Sequence, residues 1–591
     1  MKLNRKRFLS ICSVVMPTLV SLIFCVAPSN ALAQTPLAGV VKISAGSSHT
    51  CALTSNGGVK CWGSNQFGQM GVSLSLFSSS TPVDVPGLSS GVAAIAAGEL
   101  HTCALTTLGG VKCWGLNSNG QLGDNGPLAV RFTPADVSGL TSGIGAIAAG
   151  RRTTCAVTTG GAAKCWGANG VGQLGDGTTT QALIPVDVFG LASGVSAIAT
   201  HNGHSCALTT VGGIKCWGQN NLGQLGIGFP PNSSLVPVDV ISAQSMPALT
   251  GANAIAVNFA SSCAVKGGGV LCWGDNSVGQ LGNDSALFIF GSNVPVPVLS
   301  GASLPALTGV SVIASGSSHT CVVTNVGGVK CWGFNTSGQL GEGDNAQRSR
   351  ATPVDVLTAP GMPPLAGVSA ITAGDQHTCA LMISGGVKCW GANFAGQVGD
   401  NSSNNYRFSP VDVLVLPPLS LNAVQSRKTH GQAGDFDLLL DTAPIISGPV
   451  TVEPRTSGGA HLIVFQFNGV ISATGSVSVV GSSGMPIGTS SVTSSGNDVL
   501  VTLTGIADNS RATVSLANVN GILNPSASIG FLIGDVNNSR SVNSSDISSV
   551  KARSGQTTDA TNFKFDINAS GAINSSDISA VKARSGLVLP P

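Results

Sequence analysis

Charge is what this 591-residue chain has least of: 9 % of its residues are Asp, Glu, Lys or Arg, and the formal net charge is +2. An ordinary globular domain carries about a quarter. With no basic stripe or patch, the footprint needed to hold nucleic acid or an anionic membrane surface is missing, and both partner classes are excluded. Aromatics are 5 %, with a single tyrosine, Tyr406, and seven tryptophans that all fall at one place in a repeated motif. No separate aromatic platform is left for sugars or bases. There is no long amphipathic helical pattern before the last fifty residues. No C-x-x-C pair occurs among the sixteen cysteines, so the short spacing that thiolate metal sites need is absent. Glycine (79 residues), serine, threonine, asparagine and valine dominate instead, which suits short strands joined by tight turns.

The N-terminus reads as a secretory signal over residues 1–33: basic Lys2, Arg5, Lys6 and Arg7, an apolar run from Phe8 to Ala27, then Ala31-Leu32-Ala33. Pro17 and the Ala-x-Ala site favour cleavage after Ala33 over a membrane anchor, and bulky Phe24 argues against lipidation at Cys25. The expectation is a secreted, extracellular or cell-surface protein with no membrane segment once the signal is removed.

Removing that segment takes away Cys12 and Cys25 and leaves fourteen cysteines, all paired by a repeated motif. The pairs are Cys51 with Cys61, Cys103 with Cys113, Cys155 with Cys165, Cys206 with Cys216, Cys263 with Cys272, Cys321 with Cys331 and Cys379 with Cys389. In an oxidising compartment they read as seven disulfides. The clearest copy, His49 to Gly71, reads His-Thr-Cys-Ala-Leu-Thr, a Gly-Gly turn, Val-Lys-Cys-Trp-Gly, then Asn-x-x-Gly-Gln-Met-Gly. First cysteines recur every 51 to 58 residues, the signature of a propeller or solenoid. A three-residue loop centred on Asn56 puts Cys51 opposite Cys61, and the shorter fifth copy reaches the same pairing through a two-residue Gly267-Gly268 loop. Opposed residues of an antiparallel pair lie about 4.5–5.5 Å apart, within reach of a disulfide. Each Trp (Trp62, Trp114, Trp166, Trp217, Trp273, Trp332, Trp390) follows the second cysteine and reads as packing. A strand before each hairpin (Ala93–Ala97) and one after it (Thr81–Val85, opening with a Pro suited to a sheet edge) give four per repeat. The expected fold is mainly β: a seven-bladed β-propeller over 37–415, then a small β-sandwich and a short α-helical domain.

These residues resemble the repeat of the regulator of chromosome condensation family, with its Ala-Gly-x-x-His, Ala-Leu-Thr and Trp-Gly-x-Asn-x-x-Gly-Gln-Leu-Gly pattern, in all seven copies. The resemblance implies the propeller fold. The nuclear member's guanine-nucleotide exchange does not carry over to an exported chain. Secreted bacterial relatives, one of them an inhibitor of β-lactamases, use this scaffold as a protein-binding surface.

Residues 420–533 alternate apolar and polar positions, as in His461–Phe467 and Asp498–Leu503, and read as the sandwich. This region resembles a module that precedes dockerin repeats in bacterial extracellular proteins. His430, Asp435 and Asp437 lie in its most polar stretch and read as turn residues capping strands, not as a catalytic or metal cluster.

A duplication offset by 31 residues closes the chain. Its first copy sets Asp535, Asn537, Ser539, Asn543 and Asp546 at positions 1, 3, 5, 9 and 12 of a twelve-residue loop; its second sets Asp566, Asn568, Ser570, Asn574 and Asp577 there. That is how such a loop wraps Ca²⁺ in hard oxygens, with position 7 (Ser541, Ala572) adding a backbone carbonyl. Each loop runs into Ile-Ser-Ser/Ala-Val-Lys-Ala-Arg-Ser-Gly, a short helix with a Gly stop at Gly555 or Gly586. The region 534–587 resembles a type I dockerin. That resemblance implies calcium at the two loops and a cohesin partner contacted by positions 10 and 11 and the helix: Ser544, Ser545 and Lys551, and Ser575, Ser576 and Lys582. The near-identity of the halves would permit two binding orientations. Ser at position 5, and Arg540 where a Gly makes the turn, depart from the family pattern and point to weak affinity, about 10⁻⁴–10⁻³ M.

The function expected is a secreted, non-catalytic binding or scaffold protein, with the propeller as recognition surface and the dockerin-like domain as calcium-dependent attachment. The alternative is a component of extracellular polysaccharide degradation. Asp124, Asp176, Asp344 and Asp400 follow the Gly-Gln-Leu/Val-Gly turn as loop punctuation, where a glycosidase needs a dedicated carboxylate pair. His49, His101, His204, His319 and His377 give way to Thr153 and Ser261 in two copies, which suits a buried hydrogen bond better than a metal ring. Partner contacts are expected in the variable linkers Ser73–Ser80, Phe229–Leu235 and Leu287–Asn293.

Overall fold

The computed structural model describes residues 34–589, apart from 75, 229–230, 245, 286–290, 346, 417–419, 434, 441–451, 456–459, 469–470, 472–473, 520–522 and 540. The leader 1–33, Arg540, Phe229 and part of the third linker therefore lie outside the described residues. Two compact units are formed, Gln34–Leu416 and the chain from Pro417 onward.

The first unit holds seven four-stranded antiparallel sheets, each made of consecutive strands. The first blade is Val40–Ala45, His49–Thr54, Val59–Ser64 and Ser78–Asp84, and the last is Val368–Ala373, His377–Met382, Val387–Ala392 and Tyr406–Asp412. A blade thus begins with the strand before the hairpin and ends with the Pro-bearing strand at its outer edge. The ring is closed by a separate ladder, Thr35–Pro36 against Leu414–Val415, and by Leu37 N–H donating to the Val413 carbonyl at 2.7 Å.

Turn length sets the register. Thr54 N–H meets the Gly58 carbonyl at 2.8 Å, which leaves a three-residue loop and pairs Cys51 with Cys61. In the fifth blade Lys266 pairs with Gly269 across Gly267-Gly268, and Cys263 again faces Cys272. The other blades set Cys103 against Cys113, Cys155 against Cys165, Cys206 against Cys216, Cys321 against Cys331 and Cys379 against Cys389. All seven pairs are bonded as the hairpin register requires. Their Cα atoms lie 4.1 Å apart, closer than the 4.5–5.5 Å usual for opposed residues. The first hairpin strand, His49–Thr54, is buried at five of its six residues because neighbouring blades cover both its faces.

The second unit packs a five-stranded sheet (in order Asp435–Leu439, Leu421–Thr429, Ala460–Phe467, Asp498–Thr504, Thr489–Ser495) with a four-stranded one (Val452–Glu453, Ser526–Phe531, Ser510–Ala517, Ser476–Val480). Val424, Ile463, Phe465, Val501, Val514 and Ile529 lie in the core between them. Two helices follow, α1 (Ser544–Lys551) and α2 (Ser575–Lys582), each opened by a capping box: Asn543 with Asp546, and Asn574 with Asp577. Both end before the expected Gly stop, and a further turn carries the chain to Gly555 and Gly586. Val550 and Val581 face each other's half in a small core that also takes in Val452 of the sandwich, so sandwich and helical pair share apolar contacts.

Candidate functional site

The motif residues that carry the most chemistry are spent between blades. Each Trp indole N–H donates to the carbonyl of the Gln in the preceding blade's Gly-Gln turn. Trp114 meets Gln69 O at 2.9 Å, and the ring closes with Trp62 on Gln397 O at 2.9 Å. A Cβ on Gly71 would stand 2.9 Å from Trp114 Nε1, so the last Gly of the motif is the seat of the next blade's indole.

The repeat histidines cross the same interfaces. His49 Nε2 lies 2.8 Å from Thr102 Oγ1, and Thr102 donates its own hydroxyl to Gln69 O. The hydroxyl proton being used, His49 must donate through Nε2–H. The same pattern holds for His101 on Thr154, His204 on Ser262, His319 on Thr378 and His377 on Thr50. Burial lowers all five: His49, His204 and His319 to about 3, His101 and His377 to about 4. These are neutral hydrogen-bond bridges.

The acidic residues after the turn hold their own loops: Asp124 pairs with Arg131 and Asp400 with Arg407, while Asp176 binds the Thr178 hydroxyl. In the sixth blade the equivalent place belongs to Glu342, which accepts from Asn335 as Asp124 does from Asn117, and not to Asp344 two residues on.

The face of the propeller that carries the hairpin turns presents a set of exposed apolar tips. Every hairpin turn is hydrogen-bonded to the end of a blade-connecting loop or the strand it enters, as in Thr107 N–H to Gly91 O and Val368 N–H to Gly327 O. On these turns Leu108 is 84 %, Val211 83 % and Val326 87 % exposed, joined by Ile383 and by Phe189, Met246, Leu304 and Met362 on the connecting loops. The first of the variable linkers, Ser73–Ser80, likewise exposes Leu74, Leu76 and Phe77, while the hairpin tips carry no sequence signal because each looks like an ordinary turn residue. A cavity of about 280 Å³ occupies the axis, lined by small residues of the innermost strands; at its edge Glu99 pairs with Arg151 at 2.7 Å and Ser47 with Asp375 at 2.7 Å.

In the second unit the two loops gather their oxygens. Ser539 N–H donates to both Asp535 Oδ1 and Asn537 Oδ1 at 2.9 Å, and Ser570 N–H to both Asp566 Oδ1 and Asn568 Oδ1 at 3.0 Å. Asp546 and Asp577 reach back across their loops to Asn537 N–H and Asn568 N–H. Ser539 Oγ stands 2.9 Å from the Ser541 carbonyl, and Ser570 Oγ 3.1 Å from that of Ala572. Asn543 and Asn574 sit at the helix caps, each accepting from a backbone N–H two residues on.

Asp577 is raised above the usual carboxylate range, chiefly by burial and also by the neighbouring Asp566 charge. Two carboxylates crowded among amide, hydroxyl and carbonyl oxygens are a donor set that fits a hard cation. Among the described residues no group of three or more His, Cys, Asp or Glu side chains is placed to hold a metal, so these mixed oxygen loops are the candidates. Ser544, Ser545 and Lys551, and Ser575, Ser576 and Lys582, are all exposed on their helices.

His430 and the two aspartates beside it are separated by the structure. Asp437 pairs with Arg427 and Asp435 with Thr429, while His430 is buried and hydrogen-bonded to Asp566. It does not cap a strand.

Comparison with known proteins matches both units. The RCC1-like domain family matches residues 24–299, the regulator of chromosome condensation (RCC1) repeat matches 310–339, 327–381 and 368–397, and the dockerin type I domain matches 533–584. The ultraviolet-B receptor UVR8 of Arabidopsis thaliana is 30 % identical over 382 residues, 63 % of this chain and 81 % of that protein. The probable E3 ubiquitin-protein ligase HERC6 of Homo sapiens is 33 % identical over 299 residues, but only 27 % of its length is covered. Among solved structures, human WBSCR16 aligns with a TM-score of 0.51 at 23 % identity, over 62 % of this chain and 96 % of that one. Yeast RCC1 bound to Kap60 aligns with a TM-score of 0.51 at 20 % identity, over 71 % and 94 %. These two likenesses speak to the fold alone.

Proposed function

The chain belongs to the regulator of chromosome condensation repeat family, and from that premise we propose that it is a secreted, non-catalytic protein-binding or scaffold protein. The propeller is its recognition surface and the dockerin domain its calcium-dependent attachment to a protein partner, a cohesin-type domain. One observation carries this reading. The His, Trp and Cys chemistry of the propeller is buried in and between the blades, whereas the hairpin-turn face leaves a set of apolar tips in solvent, the surface character of a protein-binding site.

Calcium would be held by Asp535, Asn537, Ser539, the Ser541 carbonyl, Asn543 and Asp546 in the first loop. The second loop would use Asp566, Asn568, Ser570, the Ala572 carbonyl, Asn574 and Asp577. Calcium there would supply positive charge to the paired carboxylates, and the loop ahead of each helix would hold Ser544, Ser545 and Lys551, and their counterparts Ser575, Ser576 and Lys582, toward a partner. The seven disulfides support an oxidising, extracellular setting.

The test is affinity capture from the secretome of the source organism, with calcium and with chelator, beside a polysaccharide-turnover assay. Capture of a cohesin-bearing protein that is lost on chelation is the expected result. Turnover of a polysaccharide by the purified chain would overturn the non-catalytic reading and favour the degradative one.

A further inference from the structure

Asp566, position 1 of the second loop, is held from outside that loop by the sandwich. Its Oδ2 accepts from three donors: His430 Nδ1 at 2.8 Å, Gly571 N–H at 2.7 Å and Thr558 Oγ1 at 2.9 Å. Its Oδ1 is thereby left facing the loop interior, beside Asn568 Oδ1. The side chains of His430 and Asp566 are both fully buried.

The tautomer of His430 follows from its other neighbour. Arg455 Nη1 lies 3.2 Å from His430 Nε2. A guanidinium can only donate, so Nε2 is the bare acceptor and Nδ1 carries the hydrogen given to Asp566. Arg455 is anchored in turn. It makes a two-point pair with Glu453 and donates to the carbonyls of Phe436 and Ser426, so that with His430 all five of its N–H groups are used. The segment between the two loops is gripped as well: Phe563 stacks on Phe436 at 5.6 Å and lies under the Arg455 guanidinium at 5.0 Å. A Cβ on Gly571 would stand 2.9 Å from the His430 carbonyl, so the second loop needs glycine at the place where the first has Arg540.

The first loop meets the sandwich differently. Val452 N–H donates to Asn538 Oδ1 at 2.8 Å and Gly534 N–H to the Pro454 carbonyl at 2.8 Å. Those two contacts, among the described residues, reach Asn538 and Gly534, beside the ligand positions.

We propose that the sandwich is a built part of the second calcium loop, with His430 as the positioning residue for Asp566. The two near-identical loops are then inequivalent, and calcium in the second stabilises the sandwich. This rests on the calcium reading of the loops given above. It also gives the module before the dockerin a role, which is to preorganise one of the two sites. Outer-shell partners of a metal ligand are typically worth about 10- to 100-fold in affinity.

The test is a calorimetric Ca²⁺ titration of the full secreted chain in two backgrounds, each silencing one loop through an exposed ligand: Asn537→Lys leaves the second loop, Asn568→Lys the first. His430→Ala is expected to weaken calcium binding at least tenfold in the Asn537→Lys background and less than twofold in the other. His430→Asn, which keeps a donor near Nδ1, should recover most of the loss. Equal loss in both backgrounds, no loss in either, or no recovery by Asn overturns the proposal. Absence of binding in both parent backgrounds overturns instead the calcium reading beneath it. A second readout uses no His430 variant: calcium should slow hydrogen exchange in the sandwich strand Leu421–Thr429 in Asn537→Lys but not in Asn568→Lys, and identical protection in both would contradict the proposal.

Discussion

In the propeller every blade carries a disulfide, an indole and a carbonyl that grips the next blade; from Pro417 onward there is no cysteine and no tryptophan, and a buried chain of Ser426, Glu453, Arg455, His430 and Asp566 stands in their place. Both regions are poor in charge. The first meets that shortage seven times with the same covalent staple, so its stability is spread around a ring. The second concentrates its polar contacts at one point and ties them to one of the two candidate calcium loops. A scaffold stabilised without a ligand is suited to recognition, and one whose core reaches a cation loop is suited to conditional attachment.

The largest break in this comparison should come from reduction. In the chain-entropy model each ten-residue hairpin disulfide contributes about 2–3 kcal/mol, so dithiothreitol should lower the propeller's calorimetric transition by tens of degrees and leave that of the C-terminal unit in place. Of the substitutions, the first is Arg455→Met, which strips the partner from buried Glu453 and should cost the C-terminal unit about 3–5 kcal/mol in chemical denaturation. Trp114→Ala should cost the propeller a similar ~3–5 kcal/mol and spare the C-terminal unit.

Acid should separate the regions as well, on a scale that exceeds either substitution because five histidines act together. The repeat histidines are held at about 3 to 4 against an ordinary 6.5. The unfolded chain therefore binds more protons than the folded one between these values. Their contribution is complete above pH 6.5 and is lost as pH falls toward 4, by up to about 1.4 kcal/mol per histidine per pH unit. Urea midpoints of the propeller at pH 7 and pH 5 check this. Smallest of all is Lys60→Ala, which removes an exposed cross-strand pair with Asp84 and should change stability by about 0–1 kcal/mol.

How much was legible in the sequence differs between the regions for the same reason that their stabilities do. Hairpin register could be counted outward from Asn56 and from Gly267-Gly268 because turn length alone sets it. Seven copies also exposed the histidines as structural, since Thr153 and Ser261 replace two of them. A period does not say where a ring is cut, so the closing ladder of Thr35–Pro36 with Leu414–Val415 needed three dimensions. The place of Glu342 was misread as that of Asp344 because the glycine between them keeps the local spelling alike. His430 lay further out of reach: its partner Asp566 is 136 residues away, and no local pattern reports a contact across that separation. The loop spelling of Asp535–Asp546 and Asp566–Asp577 was plain, but their inequivalence comes from what packs against them.

The division of labour is tested most directly by scanning calorimetry of the whole chain, with 10 mM calcium and with chelator. For a site of about 10⁻⁴ M, linkage adds about 2.7 kcal/mol. The transition of the C-terminal unit should therefore rise by several degrees with calcium while that of the propeller stays fixed. A calcium-insensitive C-terminal transition, or a propeller transition that moves with it, would contradict a ligand-independent recognition ring joined to a calcium-dependent attachment unit.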